Sequence, residues 1–191
     1  MYRKAFFAIC LNGFALAFTW GITVTNIPWL FDRVGIRETD LGIWFTIFAA
    51  LQLIFSQLSG RLIVPLMGTT KTLMLGQLSF AIFPYIFITA SNIQVFFLST
   101  IPLSIAAGLI FPTIASSTNF IENKTKRIYQ TYQQASFSFG FIISGIFASL
   151  FFYINLYPPH IFLGLIFFLL LIIILTYIFG LTPENDYYEK L

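Results

Sequence analysis

The 191-residue chain is 58% hydrophobic and 19% aromatic, and only 9% of its residues are charged. Soluble domains carry about 25% charged residues, so this chain cannot coat a water-facing surface and most of it must lie in lipid. Its ten Lys and Arg residues form no stripe along the sequence, which excludes nucleic acid as a partner despite the net charge of +3. A single cysteine, Cys10, excludes a disulfide scaffold.

Six apolar segments are long enough to cross a bilayer, since a spanning helix needs roughly 20 apolar residues. They do not alternate polar and apolar positions as barrel strands do. We therefore predict an all-α membrane protein with one bundle of six transmembrane helices over residues 1–181 and a polar cytoplasmic tail over residues 182–191. The predicted spans are Ala5–Leu30, Leu41–Val64, Thr72–Thr89, Gln94–Ala115, Gln130–Tyr153 and Ile161–Phe179.

The N-terminus has a second interpretation, because Arg3 and Lys4 precede an apolar run in the manner of a signal peptide. The run continues to Leu30, which is longer than a signal core. An uncleaved first helix is therefore predicted.

The distribution of cations predicts the orientation. With a cytoplasmic N-terminus, the outer side holds two cations, Arg33 and Arg37, and the inner side holds eight. An excess of Lys and Arg marks cytoplasmic loops, so both termini are expected in the cytoplasm. The inner cations are Arg3, Lys4, Arg61, Lys71, Lys124, Lys126, Arg127 and Lys190.

Small residues recur at four-residue spacing in three spans, which indicates either close helix contacts or a cavity wall. The stripes are Gln52, Ser56 and Gly60 in the second span, Ser104, Gly108 and Pro112 in the fourth, and Ser136, Gly140, Ser144 and Ala148 in the fifth. The third and sixth spans carry few polar residues. Spans one, two, four and five are accordingly expected inside, and three and six at the periphery facing lipid.

The first span carries four polar residues within an arc of about 60° on a helix, and Trp20 lies beside them. This strip consists of Asn12, Thr19, Thr23 and Asn26. It can face a substrate path, together with Gln52 of the second span, or it can form hydrogen bonds between helices. No acid, base or histidine lies deep in any span, so no enzyme, metal site, cofactor or intramembrane proton relay is predicted.

Three stretches resemble the N-terminal six-helix half of the major facilitator superfamily of secondary transporters. Residues 28–42 resemble the passage from helix one to helix two, and residues 60–71 resemble the cytoplasmic signature between helices two and three. Asn119, Glu122, Lys126, Arg127 and residues 135–140 resemble a fucose-permease-like bacterial subgroup. In the signature, Gly60, Arg61, Gly68 and Lys71 are the candidate gating residues, but Val64 and Pro65 replace the usual Asp and basic residue, and the glycine spacing differs slightly.

The resemblance implies a transporter, or its N-terminal half, that moves a small solute by alternating access in the bacterial inner membrane. Helices one, two, four and five would line the path or the interface between halves. The six-helix chain is interpreted as a truncated half, a homodimerising unit, or one half of a two-chain carrier, and the eroded signature favours truncation. The alternative function is a six-helix assembly or regulatory module that does not transport. The Asn12–Asn26 strip distinguishes them, since only a carrier exposes it to water.

Overall fold

The computed structural model describes residues 2–181, and in these residues all regular structure is helical. The predicted tail over residues 182–191 lies outside the described part. The helices are α1 (Tyr2–Thr25), α2 (Ile27–Val34), α3 (Glu38–Leu58), a π turn (Ser59–Ile63), α4 (Val64–Thr89), α5 (Ile93–Leu98), α6 (Thr100–Thr125), α7 (Gln130–Tyr153) and α8 (Pro158–Phe179).

Five helical stretches are long and apolar enough to cross a membrane. The longest, Glu38–Thr89, has 52 residues and would measure about 78 Å at 1.5 Å per residue, more than twice the thickness of a hydrocarbon core. It breaks at Gly68, whose φ of 78° and ψ of 167° lie outside the helical region. Glycine adopts such angles without a steric penalty. The chain therefore reverses there, and the prediction of an all-α protein with six spans is confirmed.

Several span boundaries differ from the predicted ones, whereas α7 covers the predicted range Gln130–Tyr153. Two of the differences have a clear local cause. The first span ends at Thr25 because the chain turns at Asn26 and a separate helix starts with Pro28 near its beginning. The fourth span continues past Ala115 to Thr125, where Lys126 ends it in a left-handed conformation with a φ of 55°. The polar residues after Ala115 remain helical because none of them is a glycine or proline.

The six spans form an ordered bundle in which each packs on its neighbours. Along the bundle, α3 packs on α6, α6 on α4, α4 on α8, α8 on α1 and α1 on α7, while α1 also contacts α6. The helices α3 and α7 thus stand at the two ends of this series. Only two residues of α3 and three of α7 are buried, compared with eleven each in α1 and α4.

The two spans expected at the periphery, the third and the sixth, each bury one face in the described bundle and expose another. The third span, α4, buries Gly76, Gln77 and Phe80 between α6 and α8 and exposes Leu78, Ile82 and Tyr85 on its other side. A Cβ atom on Gly76 would lie 2.6 Å from Ile110 of α6, which shows how closely these helices approach. The second and fifth spans are instead open on most sides. The sixth buries one face and exposes the other, on which Phe167 is 68% exposed.

A π turn lies at the start of the stretch that separates Gly60 from Gly68. Residues Ser59–Ile63 form a π turn between α3 and α4. A single π turn accommodates additional chain in a helix without breaking it. The stretch from Gly60 to Gly68 thus stays helical through the π turn, and the helix breaks at Gly68.

The charged residues separate to the two ends of the bundle. One end, here called the basic end, contains the start of α1, the reversal at Gly68 and the connection from α6 to α7. The ring of Phe7 lies 6.1 Å from that of Phe179, and Thr70 donates to the Leu181 carbonyl at 2.8 Å, which brings these segments together. The opposite end carries Arg33 and Arg37.

Candidate functional site

Asn12 is buried in the centre of the bundle, where it joins three helices. Its amide donates hydrogen bonds to the Ala8 carbonyl at 2.8 Å and to Thr176 Oγ1 of α8 at 2.7 Å. The Gln77 amide of α4 donates to Asn12 Oδ1 at 3.0 Å. Within lipid these partners replace the water that polar groups would otherwise bind. The contacts of Asn12 are therefore contacts between helices.

The other members of the predicted strip lie on the same side of α1. Thr19 and Thr23 are buried; Thr23 donates to the Thr19 carbonyl at 2.8 Å, and Thr19 Oγ1 has no partner among the described residues. Half-buried Asn26 donates to the Ile22 carbonyl at 2.8 Å. Of the two alternatives for the strip, the contacts of Asn12 with α4 and α8 are those of hydrogen bonding between helices.

Trp20 projects from a different side of α1, toward α3. Its half-buried ring stacks on Trp44 at 6.2 Å and on Phe48 at 5.6 Å between ring centroids, and Phe45 contacts its edge at 6.2 Å. Trp44 is fixed in turn, because its indole N–H donates to Ser99 Oγ at 3.1 Å. Aromatic pairs in these geometries stabilise each other beyond the area they bury. Trp20 is therefore held at the edge between α1 and α3.

The second and fourth spans meet at Gly108, as the stripe in α6 suggested. A Cβ atom on Gly108 would lie 2.5 Å from Phe55 Cβ and 3.0 Å from the Gln52 carbonyl oxygen. Only a glycine allows the two helices this separation. The half-buried Gln52 side chain lies beside the contact, and half-buried Pro112 follows one turn later inside α6.

The small residues of α7 lie against α1. A Cβ atom on Gly140 would be 2.6 Å from a backbone oxygen of α1, and one on Gly21 would be 1.9 Å from Ser144 Oγ. Ser136 Oγ donates to the Cys10 carbonyl at 2.8 Å. These three stripe positions form one close helix contact, in which the backbones approach through small side chains.

Aromatic side chains continue from this contact onto α6. Phe137 and Phe141 of α7 lie 5.2 Å apart between ring centroids, and Phe111 of α6 lies 5.8 Å from Phe137. Phe111 and Phe141 are 40% and 39% exposed. A Cβ atom on Gly21 would be 3.5 Å from the Phe141 ring, so this ring borders α1 as well.

These contacts form a closed circuit through α1, α3, α6 and α7 around one open side of the bundle. We call this surface the aromatic face. Its six residues include one amide and no charged side chain; they are Trp20, Phe45, Gln52, Phe111, Phe137 and Phe141. Among the described residues no group of three or more His, Cys, Asp or Glu is placed to hold a metal ion.

The candidate gating residues lie at the basic end, away from the aromatic face. Gly60 and Arg61 belong to the π turn and are exposed, with open space around Gly60. Exposed Lys71 follows the reversal at Gly68. Within residues 2–181 Arg61 has no carboxylate partner. Val64 and Pro65, which replace the usual Asp and basic residue of the signature, supply no charge for an ion pair here.

Sequence comparison identifies the family to which this architecture belongs. Residues 9–190 match the profile of the Major Facilitator Superfamily. The chain belongs to this superfamily. Its six helices, with α1, α3, α6 and α7 in contact around the aromatic face, are consistent with one half of this fold.

Named relatives in the superfamily include bacterial drug-resistance proteins. Over 143 residues the chain is 29% identical to multidrug resistance protein 2 of Bacillus subtilis. This match covers 74% of the chain and 36% of the relative. Over 142 residues it is 25% identical to the quinolone resistance protein NorA of Staphylococcus aureus, with the same coverage of both proteins. The matched stretch is thus little more than a third of each relative's length.

Sequence reasoning missed most of the aromatic face, namely Phe45, Phe111, Phe137 and Phe141. The chain has 25 phenylalanines, and in lipid a phenylalanine on any face satisfies the hydrophobic pattern. The close helix contacts predicted at Gly108 and Gly140 could have indicated part of this face. Phe111 and Phe137 lie about one helical turn from these glycines and so border the same contacts.

Proposed function

We propose that this chain forms one six-helix half of a secondary transporter, and that the aromatic face lines the path of a small amphipathic solute. The observation that carries the proposal is the circuit of contacts around that face. The end helices α3 and α7 bury only two and three residues, so most of their surface stays uncovered in this chain. A second six-helix unit can close over this side.

The chemistry of the aromatic face favours an uncharged or weakly polar aromatic solute. Rings stack on and contact the edges of other rings, while the Gln52 amide and the Trp20 indole supply hydrogen-bonding groups that orient a ligand. No residue of the face can neutralise a charge. The names of the relatives, which refer to multiple drugs and to quinolones, support an aromatic solute.

The covering unit need not be inverted relative to this chain. The two halves of the superfamily fold are parallel repeats about an axis along the membrane normal. A second copy of this chain or a different six-helix unit can therefore complete the path. We further propose that the basic end faces the cytoplasm of a bacterial cell, because seven described cations lie at this end and two at the other.

Two features favour alternatives to this proposal, one a different solute and the other a module that does not transport. The experiment must distinguish these alternatives from the proposed carrier. The match of Asn119 and Glu122 to a fucose-permease-like subgroup favours a neutral sugar as the solute. The burial of Asn12, Thr19 and Thr23 favours a module that packs and does not transport, since a module has no need of an open polar strip.

Cysteine accessibility tests the aromatic face directly. In a Cys10→Ala background, Phe111→Cys, Phe141→Cys and Leu170→Cys variants are treated in membranes with a water-soluble maleimide. Leu170 on α8 is the matched control, because it is 39% exposed, as much as Phe141, but lies on another side of the bundle. We expect labelling at positions 111 and 141 and none at 170. Addition of a quinolone should slow the labelling of the first two positions.

The outcomes distinguish the candidates. Protection by fucose and not by a quinolone would favour the sugar. If positions 111 and 141 react no faster than position 170, with or without a covering copy of the chain, the face meets only lipid or protein, and the non-transporting module replaces the carrier.

A further inference from the structure

The basic end holds a cavity that is separate from the aromatic face. It has a volume of about 630 Å³ and lies between the start of α1 and the start of α7. The ring of Tyr129 lies 4.5 Å from that of Phe6 of α1, which positions the segment against α1. The cavity is lined by Arg3, Arg127, Ile128, Tyr129, Thr131 and Tyr132.

The two arginines of this cavity, here called the Arg3–Arg127 cavity, have no neutralising partner. Within residues 2–181 neither forms an ion pair. Glu122 is the only described carboxylate at the basic end, and it accepts hydrogen bonds from the backbone N–H groups of Tyr129 and Gln130. These bonds fix the carboxylate at the start of α7, where its negative charge offsets part of the positive charge beside Tyr129. Lys4 and Lys124 nearby add further positive charge.

The surroundings of the arginines indicate a ligand that is both anionic and apolar. Ile128 is 73% exposed and Tyr132 is 66% exposed beside the two guanidinium groups. These residues lie where spanning helices begin, which is the depth of lipid headgroups, and tyrosine is enriched at that depth. Arginine binds phosphate oxygens in pairs through its planar guanidinium group. Basic pockets between transmembrane helices suit anionic headgroups.

We propose that the Arg3–Arg127 cavity binds the phosphate diester of an anionic phospholipid from the adjacent leaflet. The phosphate lies between the two guanidinium groups, and the first part of the acyl chain contacts Ile128 and Tyr132. Because Arg3 belongs to α1 and Arg127 to the connection before α7, a bound lipid links the ends of the two helices. The sequence did not predict this site, because the two arginines are far apart in the chain.

The test uses the purified full chain in an uncharged detergent, to which phosphatidylglycerol is added. The apparent melting temperature and the number of lipids retained in native mass spectrometry are measured. We expect phosphatidylglycerol to raise the melting temperature of the unaltered protein. An Arg3→Gln/Arg127→Gln variant should need at least tenfold more lipid for the same rise.

A Lys4→Gln/Lys124→Gln variant is the matched control, since it removes two charges at the same end without altering the cavity lining. It should respond as the unaltered protein does. Equal loss of response in both double variants would overturn the proposal in favour of diffuse attraction. If the Arg3→Gln/Arg127→Gln protein does not fold, the single Arg127→Gln variant makes the same comparison.

Inorganic phosphate at the same concentrations separates the two sources of a phosphate group. If phosphate raises the melting temperature as much as phosphatidylglycerol does and also reduces the number of retained lipids, the site binds a free anion. That result would overturn the lipid assignment. No rise with phosphate supports it. Since the readout is lipid binding, failure here leaves the proposed transport function untouched, and failure of transport leaves the lipid site untouched.

Discussion

Gly140 lies where α7 comes closest to α1, so a single added methyl group there tests the packing of the bundle. A Cβ atom at this position would lie 2.9 Å from Ala17 Cβ and 2.6 Å from the Phe14 carbonyl oxygen. Carbon atoms in favourable contact are at least about 3.5 Å apart, so the helices must separate by about 0.6 Å. The neighbouring atoms belong to a helix backbone and an alanine, neither of which can move aside by changing rotamer.

Overpacking of this kind costs about 1–3 kcal/mol of the free energy of unfolding. For a chain of this size that corresponds to a drop in melting temperature of roughly 2–12 °C. Gly140→Ala should show this loss in detergent, and Gly140→Leu a larger one with a reduced folded yield. Gly145→Ala on the same helix is the control, because nothing lies within 4 Å of its added Cβ atom. Equal melting temperatures for the Gly140→Ala and Gly145→Ala proteins would refute the close contact.

Three further changes test other parts of the structure. Asn12→Leu removes the acceptor of the Gln77 amide and should lower the free energy of unfolding by about 1–3 kcal/mol, measured by thermal denaturation. Glu122→Ala removes the acceptor of two backbone N–H groups at the start of α7 and should destabilise by about 0.5–2 kcal/mol in the same assay. For topology, a membrane-impermeant thiol reagent applied from outside should label Arg37→Cys and leave Lys124→Cys unlabelled.

These predictions have their own controls. Thr46 is exposed and its hydroxyl bonds only the Gly42 carbonyl within its own helix, so Thr46→Val should leave the melting temperature nearly unchanged. A stable Asn12→Leu protein would mean that its buried partners are satisfied without it. Labelling of the Lys124→Cys protein in sealed cells would contradict the proposed orientation. In permeabilised cells the reagent should label this variant.

The spans were predictable because lipid imposes a simple rule on sequence. A helix that satisfies its own backbone hydrogen bonds and carries about twenty apolar residues is stable in hydrocarbon wherever it packs. The range Gln130–Tyr153 was therefore correct to the residue. The predicted end of α6 at Ala115 was wrong, because the polar residues that follow remain helical beyond the apolar segment. Composition shows where the apolar segment ends but not where the helix ends.

The sequence by itself determined the number of spans, the arc shared by Asn12 and Thr23, and the small residues at Gly108 and Gly140, since each follows from helix geometry within one segment. Only the tertiary structure decided which face of each helix contacts another helix and which face stays open. Lipid and protein interiors are equally apolar, so hydrophobicity cannot show which side of α1 meets α4 and which side stays open. The same reason explains why the aromatic face and the Arg3–Arg127 cavity emerged only when separate helices were brought together.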